Sequence, residues 1–418
     1  MRKYDSYKDS GIEWIGEIPG HWTIATVGRL TNLGRGRVIS AIEIAENEGE
    51  YPVYSSQTEN NGVMGRLNSF DFEGEYVTWT TDGANAGTVF YREGKFNCTN
   101  VCGTIQPKKW EQIDLKFLPY YLNLGTRFSV RLDINPKLMN NMMAKIPLVI
   151  PPKPEQTAIA AYLDRKTAEI DELIADKKRL LELYEEEKAA IINQAVTKGI
   201  NPDVPMKDSG IEWLGEIPEH WEVKRLSWCF EIIGSGTTPK AGSEEYYSNG
   251  EFNWLLTGDL TDGDILETSK KVTQKALDDH TSLKKYPVNS IVMAMYGATI
   301  GKLGILKIPT TVNQACCVMG NPIHLHYQFA FFLLLAARKE IINMSYGGGQ
   351  PNISQELIKS FRVQVPPIEE QKTIVNHIET ECALIDSKTE NTKNLIDLLT
   401  EYRTALISEV VTGKIKVI

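Results

Sequence analysis

Two stretches of this chain run for more than forty residues without an internal Pro or Gly, and both follow a Pro-Pro pair. The first opens at Pro151-Pro152 with Glu155-Gln156 and ends at Gly199; the second opens at Pro366-Pro367 with Glu370-Gln371 and ends at Gly413. Apolar residues recur at Leu163, Ile170, Tyr184 and Ile191, with Ile174, Leu181 and Ala195 four positions further on. In the second copy they recur at Ile378, Ile385, Leu399 and Leu406, with Ile396 and Val410. Both patterns are heptads, so each stretch predicts one long helix with an apolar seam. Both seams turn polar at the same step, Lys177 and Thr392, so the expected partner of each helix is the other copy, packed antiparallel.

A second repeat precedes each block between the helices. KDSGIEWIGEIPGHW at residues 8–22 returns as KDSGIEWLGEIPEHW at residues 207–221, identical at thirteen of fifteen positions. Gly, Pro and paired Trp in a polar segment predict a turn-rich strap anchored by burial of Trp14, Trp22, Trp213 and Trp221. His21 and His220 belong to this tether and carry no expected catalysis. The chain therefore reads as strap 1–22, block 23–150, long helix 151–200, strap 201–221, block 222–365 and long helix 366–418. Such an internal duplication predicts a pseudo-two-fold arrangement with neighbouring termini.

At 418 residues, 42% of them hydrophobic, the chain can bury several cores. Its six Cys lack metal-site spacing and read as reduced thiols. No signal-like or membrane-length apolar run is present, which predicts a cytoplasmic location and no membrane partner. The net charge of −9 argues against a polyanion partner until its distribution is considered. Residues 23–150 hold thirteen basic and thirteen acidic side chains, and residues 222–365 hold fourteen and thirteen. The acidity is therefore in the helices and straps, and the blocks are free to carry local basic faces.

Within the blocks, short β-rich runs at residues 76–79, 88–91, 290–295 and 360–365 alternate with helical patterns at 115–124 and 327–342. Gly- and Ser-rich loops are expected at 32–40, 54–65, 233–250 and 345–354. The fold class is α+β, two related domains separated by the pair of long antiparallel helices.

Enzyme signatures are weak. Residues 297–302, GATIGK, are one residue short of a phosphate-binding loop and lack its Ser or Thr. No methyltransferase motif occurs. Asp82, Glu93 and Lys95 have the order of a Mg²⁺-dependent nuclease, yet the counterpart of Asp82 in the second block is Tyr296. Binding chemistry is denser. Ser55, Gln57, Thr80, Thr81, Asn85, Arg92 and Lys95 in the first block are candidates for base edges or phosphates. In the second block the candidates are Thr237, Lys240, Thr257, Asp259, Tyr296, Thr299, Lys302, Gln314, Gln350 and Asn352. The expected helix-pair and partner interface is Leu163, Ile170, Ile174, Leu181, Tyr184, Ile191, Ile378, Ile385, Ile396, Leu399 and Leu406. A metal-dependent nuclease and a coiled-coil protein-binding scaffold stand as the alternative readings.

Over essentially its whole length this arrangement resembles the specificity subunit of type I restriction-modification enzymes. The resemblance rests on Gly16–Trp22 and Gly215–Trp221 of the straps, on the Pro-Pro-x-x-Glu-Gln helix entries and on Thr167-Ala168-Glu169-Ile170. It rests also on GGGQPNI at residues 347–353, where the first block departs with Leu132-Asp133-Ile134-Asn135-Pro136. The resemblance implies that each block is a target-recognition domain reading half of a split, asymmetric site in double-stranded DNA. It implies that the helices bind two modification subunits, that restriction and translocase subunits join them, and that the chain itself catalyses nothing. The methyl donor, ATP and Mg²⁺ are then expected in the partners, with no cofactor or metal in this chain.

Overall fold

A computed structural model describes residues 2–131, 135–345 and 352–417. The chain forms two compact units, Met1–Lys178 with Lys393–Ile418, and Arg179–Thr392. The division cuts across chain order, because each unit takes a strap, a block and part of both long helices. Among the described residues no helix is long and apolar enough to cross a membrane.

In the first unit the strap folds as a hairpin, Tyr7–Asp9 against Glu17–Pro19, and buries Trp22 completely. Trp14 is only half-buried and stacks on Phe128 at 4.8 Å between ring centres. The block is a six-stranded sheet ordered Thr31–Arg35, Cys102–Pro107, Phe72–Thr80, Val89–Cys98, Tyr51–Tyr54, Val63–Leu67. Thr31–Arg35 is thus a strand where a loop was expected. The helix Phe117–Gly125 packs Phe117, Leu118 and Tyr121 onto this sheet, beside Trp79 and Ile105. A separate antiparallel pair, Thr23–Thr26 with Pro147–Ile150, carries the chain into and out of the block.

The first long helix, Lys153–Lys198, starts where Pro-Pro ends the strand, and Gln156 explains the motif. Its fully buried amide accepts from Asp114 N at 2.9 Å and donates to Gln112 O and Pro151 O, each at 2.9 Å. The second long helix, Ile368–Val411, ends in this same unit at Gly413, whose φ of +76° favours glycine. A Cβ there would lie 2.3 Å from Pro19 and 3.0 Å from Trp22, so the strap closes on that turn. Lys416 N donates to Arg2 O at 2.9 Å, which makes the described ends of the chain neighbours. One helix starts where the other ends, so the pair is antiparallel, sealed by Leu163, Ile170, Leu406 and Val410. Ile174, Ile396 and Leu399 are half-buried, and Arg403 Nη2 donates to Asp171 Oδ2 at 3.0 Å.

The second unit repeats the plan. Its strap hairpin is Met206–Asp208 against Glu216–Pro218, with Trp221 fully buried and Trp213 stacked on Phe361. A five-stranded sheet runs Phe230–Ser235, Cys316–Pro322, Ile291–Ala294, Leu303–Leu306, Gly263–Ile265. A three-stranded sheet of Lys270–Val272, Phe252–Leu255 and Thr311–Val312 is additional, and the helix Tyr327–Asn343 covers the core. Gln371 repeats the role of Gln156, accepting from His326 N at 2.7 Å and donating to His324 O at 2.9 Å and Pro366 O at 2.8 Å.

The helix seam of this unit is Ile378, Cys382 and Ile385 against Ile192 and Ala195, all buried, with Lys188 Nζ donating to Asp386 Oδ1 at 2.7 Å. Leu181, Tyr184 and Ile191 are only half-buried, which corrects the expected seam. A straight helix drifts about 20° per heptad, so after four heptads from Leu163 the inward position passes from Ile191 to Ile192.

Candidate nucleic-acid interface

Loops at one end of the first block's sheet are tied together by hydrogen bonds. Thr99 N donates to Tyr54 O at 2.9 Å and Thr99 Oγ1 to Ser55 Oγ at 3.3 Å. Asn85 Nδ2 donates to Ser56 O at 3.3 Å, while Thr81 N reaches Val101 O at 2.9 Å and Gly83 N reaches Pro136 O at 3.0 Å. Ser55, Gln57 and Asn85 therefore share one half-exposed loop cluster. Asn60 and Asn61 lie at its tip, exposed, with φ of 48° and 55°. Asn is among the few non-glycine residues that tolerate this region, so the Asn-Asn-Gly run presents two amides at a fixed turn. Neither was singled out from sequence, although that run was a usable signal.

Four candidates do not present their chemistry to solvent. Thr80, the last residue of the strand Phe72–Thr80, and Thr81 after it are buried at 1% and 0% exposure, and Thr80 Oγ1 donates to Asn85 O. Gln57 uses its amide to close its own loop on Val63 O. Arg92, expected on the surface as a phosphate contact, is 3% exposed. Its guanidinium lies 3.6 Å from the Tyr54 ring centre and 4.4 Å from that of Phe90, and Nε donates to Thr78 Oγ1 at 3.2 Å. Burial holds its pKa below the usual arginine value. Its neighbours Cys98 and Cys102 bring their sulfurs to 3.5 Å, and the hydrogen bond they share lowers the pKa of Cys102. Lys95 is exposed, 4.5 Å from the Phe70 ring centre and 3.9 Å from Glu73.

No metal site assembles from the nuclease-like residues. Asp82 faces Lys137 at 3.8 Å, and Glu93 accepts from Tyr91 at 3.3 Å on a strand where Glu75 is its cross-strand neighbour. Among the described residues no group of three His, Cys, Asp or Glu side chains is placed to hold a metal ion.

The second block gathers its candidates more completely. Ile353 N donates to Met295 O at 2.8 Å, which sets Asn352 beside the turn of Tyr296, Thr299 and Lys302. Gln355 Nε2 donates to Ser235 Oγ at 2.6 Å, near Thr237, and Thr238 Oγ1 donates to Gln314 Oε1. Asn313 N reaches Leu255 O at 3.1 Å and so draws the Thr257 turn to Gln314. Lys240 and Lys302 are exposed there. Asp259 is occupied locally, since its carboxylate accepts from Leu256 N at 2.8 Å and Ser269 N at 3.2 Å. Thr238 was missed from sequence, and Gln350 lies outside the described residues.

A duplicated scaffold that sets a cluster of hydroxyl, amide and cationic side chains on loops at a sheet end defines a recognition module. The family model described as the type I restriction modification DNA specificity domain matches this chain twice, over residues 19–183 and 218–400. The chain belongs to that family. It is 26% identical over 428 aligned positions to the specificity subunit of the type I restriction enzyme MjaVIII of Methanocaldococcus jannaschii, covering 96% of this chain and 94% of that one. It is 50% identical over 136 residues to the N-terminal part of a putative type I specificity subunit of Mycoplasma pneumoniae, 32% of this chain and 72% of that protein. Other M. pneumoniae specificity subunits are matched over 37–56% of their own length. In fold it is similar to a chain solved in work on complex assembly and conformational transition of the type I R-M system, with a TM-score of 0.72, 12% identity and coverage of 95% and 99%. The HsdS subunit of Thermoanaerobacter tengcongensis is similar in fold as well, with a TM-score of 0.58, 13% identity and coverage of 95% and 98%.

Proposed function

We propose that this chain is the DNA-recognition subunit of a type I restriction-modification complex, and that each block reads one half of a bipartite, asymmetric duplex site. The observation that carries the reading is the recurrence of one scaffold, matched by the specificity model in both copies, with a different polar loop set on each. Hydroxyl and amide side chains such as Ser55, Asn85, Gln314 and Asn352 suit base edges, and Lys240 and Lys302 suit guanine or phosphate.

The long helices dock the modification subunits in this proposal. Supporting that are leucines left outside the helix seam, with Leu173 at 41%, Leu183 at 43%, Leu384 at 55% and Leu398 at 61% exposure. Exposed leucines on a charged helix surface are suited to another helix. The chemistry then lies in the partners: modification subunits bring the methyl donor, and restriction subunits bring ATP and Mg²⁺. This chain acts in the cytoplasm as a non-catalytic component.

The test is to express the chain with its modification subunit and sequence the methylome. A split motif with two unlike halves, absent without this chain, is the expected result. Methylation indifferent to this chain contradicts the proposal.

A further inference from the structure

The scaffold of each unit carries a surface at the strap end of its block, and the two copies of that surface differ in chemistry. In the first unit Val27 N donates to Ile146 O at 3.0 Å and Lys108 N to Leu30 O at 2.8 Å. In the second, Leu226 N donates to Phe361 O at 2.9 Å and Ile323 N to Cys229 O at 2.9 Å. With the paired strands beside them in matching register, these bonds put Arg29 where the second unit has Trp228, Lys108 where it has Ile323, and Lys145 where it has Ser360. The Pro-Pro pairs likewise put Lys153 in the place of Ile368. Trp228, Ile323 and Ile368 are exposed at 62%, 53% and 45%. Three exposed apolar positions of one copy are therefore cations in the other.

The first copy is extended as well. Gln112 O and His324 O occupy the same place, each bonded to the Gln of its helix entry. Lys108 is four residues before Gln112, whereas Ile323 directly precedes His324, so residues 109–111 are an insertion. The insertion brings a further cation, Lys109, and Trp110 at 45% exposure. Arg29, Lys109 and Lys145 are exposed and form no ion pair among the described residues; Glu111 is a carboxylate in the same stretch. Lys108 Nζ donates to Gly28 O at 2.7 Å and Lys153 Nζ to Trp110 O, which brings together the segments next to Arg29 and Lys109. The scaffold does not require these charges, since the second copy keeps the same backbone bonds without them.

We propose that Arg29, Lys109 and Lys145 form a second DNA contact, which holds the phosphate backbone of the duplex beyond the bases read by the first block. This rests on the DNA-recognition reading above. The strand Cys102–Pro107 runs from the candidate loops, where Thr81 meets Val101, to this surface. Five strand steps span about 17 Å, or roughly five base pairs along a duplex. In this proposal the duplex runs along that strand, so its flank passes the cations, whereas an acidic protein segment would have no relation to the loops. Phosphate contacts of this kind position the protein without reading sequence.

The test uses the full chain with its modification subunit and duplexes carrying the methylome-defined site, with a long or a trimmed flank next to the first block's half-site. For the wild type, the long flank should bind more tightly and with a steeper salt dependence. The triple variant Arg29→Gln, Lys109→Gln, Lys145→Gln should lose the flank effect and keep its methylated sequence. At roughly 0.9 in log–log slope per phosphate, the wild type should lose about 40-fold more affinity than the variant between 50 and 200 mM salt. Unchanged thermal unfolding of the triple variant, and a partial effect of Lys109→Gln alone, tie the change to charge. A variant that retains the flank effect and salt slope overturns the inference. So does a variant with wild-type DNA binding that has lost a protein partner, which would make the surface an acidic-protein site. A wild type that binds without sequence preference defeats the recognition reading first, and the inference with it.

Discussion

His21 Nε2 lies 2.9 Å from Glu155 Oε2, joining the strap to the first turn of the long helix that starts in its unit. His220 Nε2 and Glu370 Oε2 repeat the contact at 2.7 Å. The second carboxylate oxygen is used differently in the two copies, accepting from Tyr4 OH at 2.5 Å in one and from Trp221 Nε1 at 3.1 Å in the other. These histidines are parts of a clasp, as expected of a tether.

The clasp predicts local loosening. Glu155 is 5% exposed, so Glu155→Ala strands the Tyr4 hydroxyl and should cost about 2–3 kcal/mol. Glu370 has a side chain 28% exposed, and Glu370→Ala should cost about 1 kcal/mol. Hydrogen exchange checks both, with faster exchange in peptides of residues 2–22 for the first variant and 203–221 for the second. Equal loosening of both straps by one variant would contradict the local account.

Gln156 and Gln371 are each fully buried with three hydrogen bonds to backbone groups. Replacing either by Ala leaves buried carbonyls and an amide unpaired, and should lower stability by about 2–4 kcal/mol. Denaturant unfolding should show the loss. Glu at either position should be as damaging, because it keeps the acceptor and loses the donors.

Arg92 separates packing from DNA contact. Arg92→Ala should destabilise the first unit by about 2–3 kcal/mol through lost packing on Tyr54 and Phe90, while Arg92→Met should be close to neutral. Cognate DNA affinity of the Met variant should equal that of the wild type. A drop of tenfold or more, with stability preserved, would return Arg92 to the interface.

Asp82→Asn and Glu93→Gln should leave any cleavage by the assembled complex intact, because among the described residues these side chains are not grouped to hold a metal ion. Nicking assays with the reconstituted complex check this against loss of scission with binding retained.

The long helices, straps and duplication were legible because each is written as a repeat with its own period. Leu163 and Ile170 are placed by the heptad alone, but Ile191 is not, since the drift of a straight helix accumulates over four heptads. The placement of the candidate loop residues was half legible. Composition locates Asn85 and Gln314, whereas the burial of Arg92 depends on how the sheet brings Tyr54 and Phe90 onto its guanidinium. The contrast of Arg29 with Trp228 was hidden too, because equivalence of those positions is set by backbone pairing across strands far apart in sequence.

If each block reads its own half of the site, exchanging one block changes one half alone. Residues 23–150 are replaced by the corresponding block of another family member, and the methylome is sequenced with the modification subunit present. One half of the methylated motif should change, with the other half and the activity kept. A change in both halves, or in neither while methylation persists, would contradict the account.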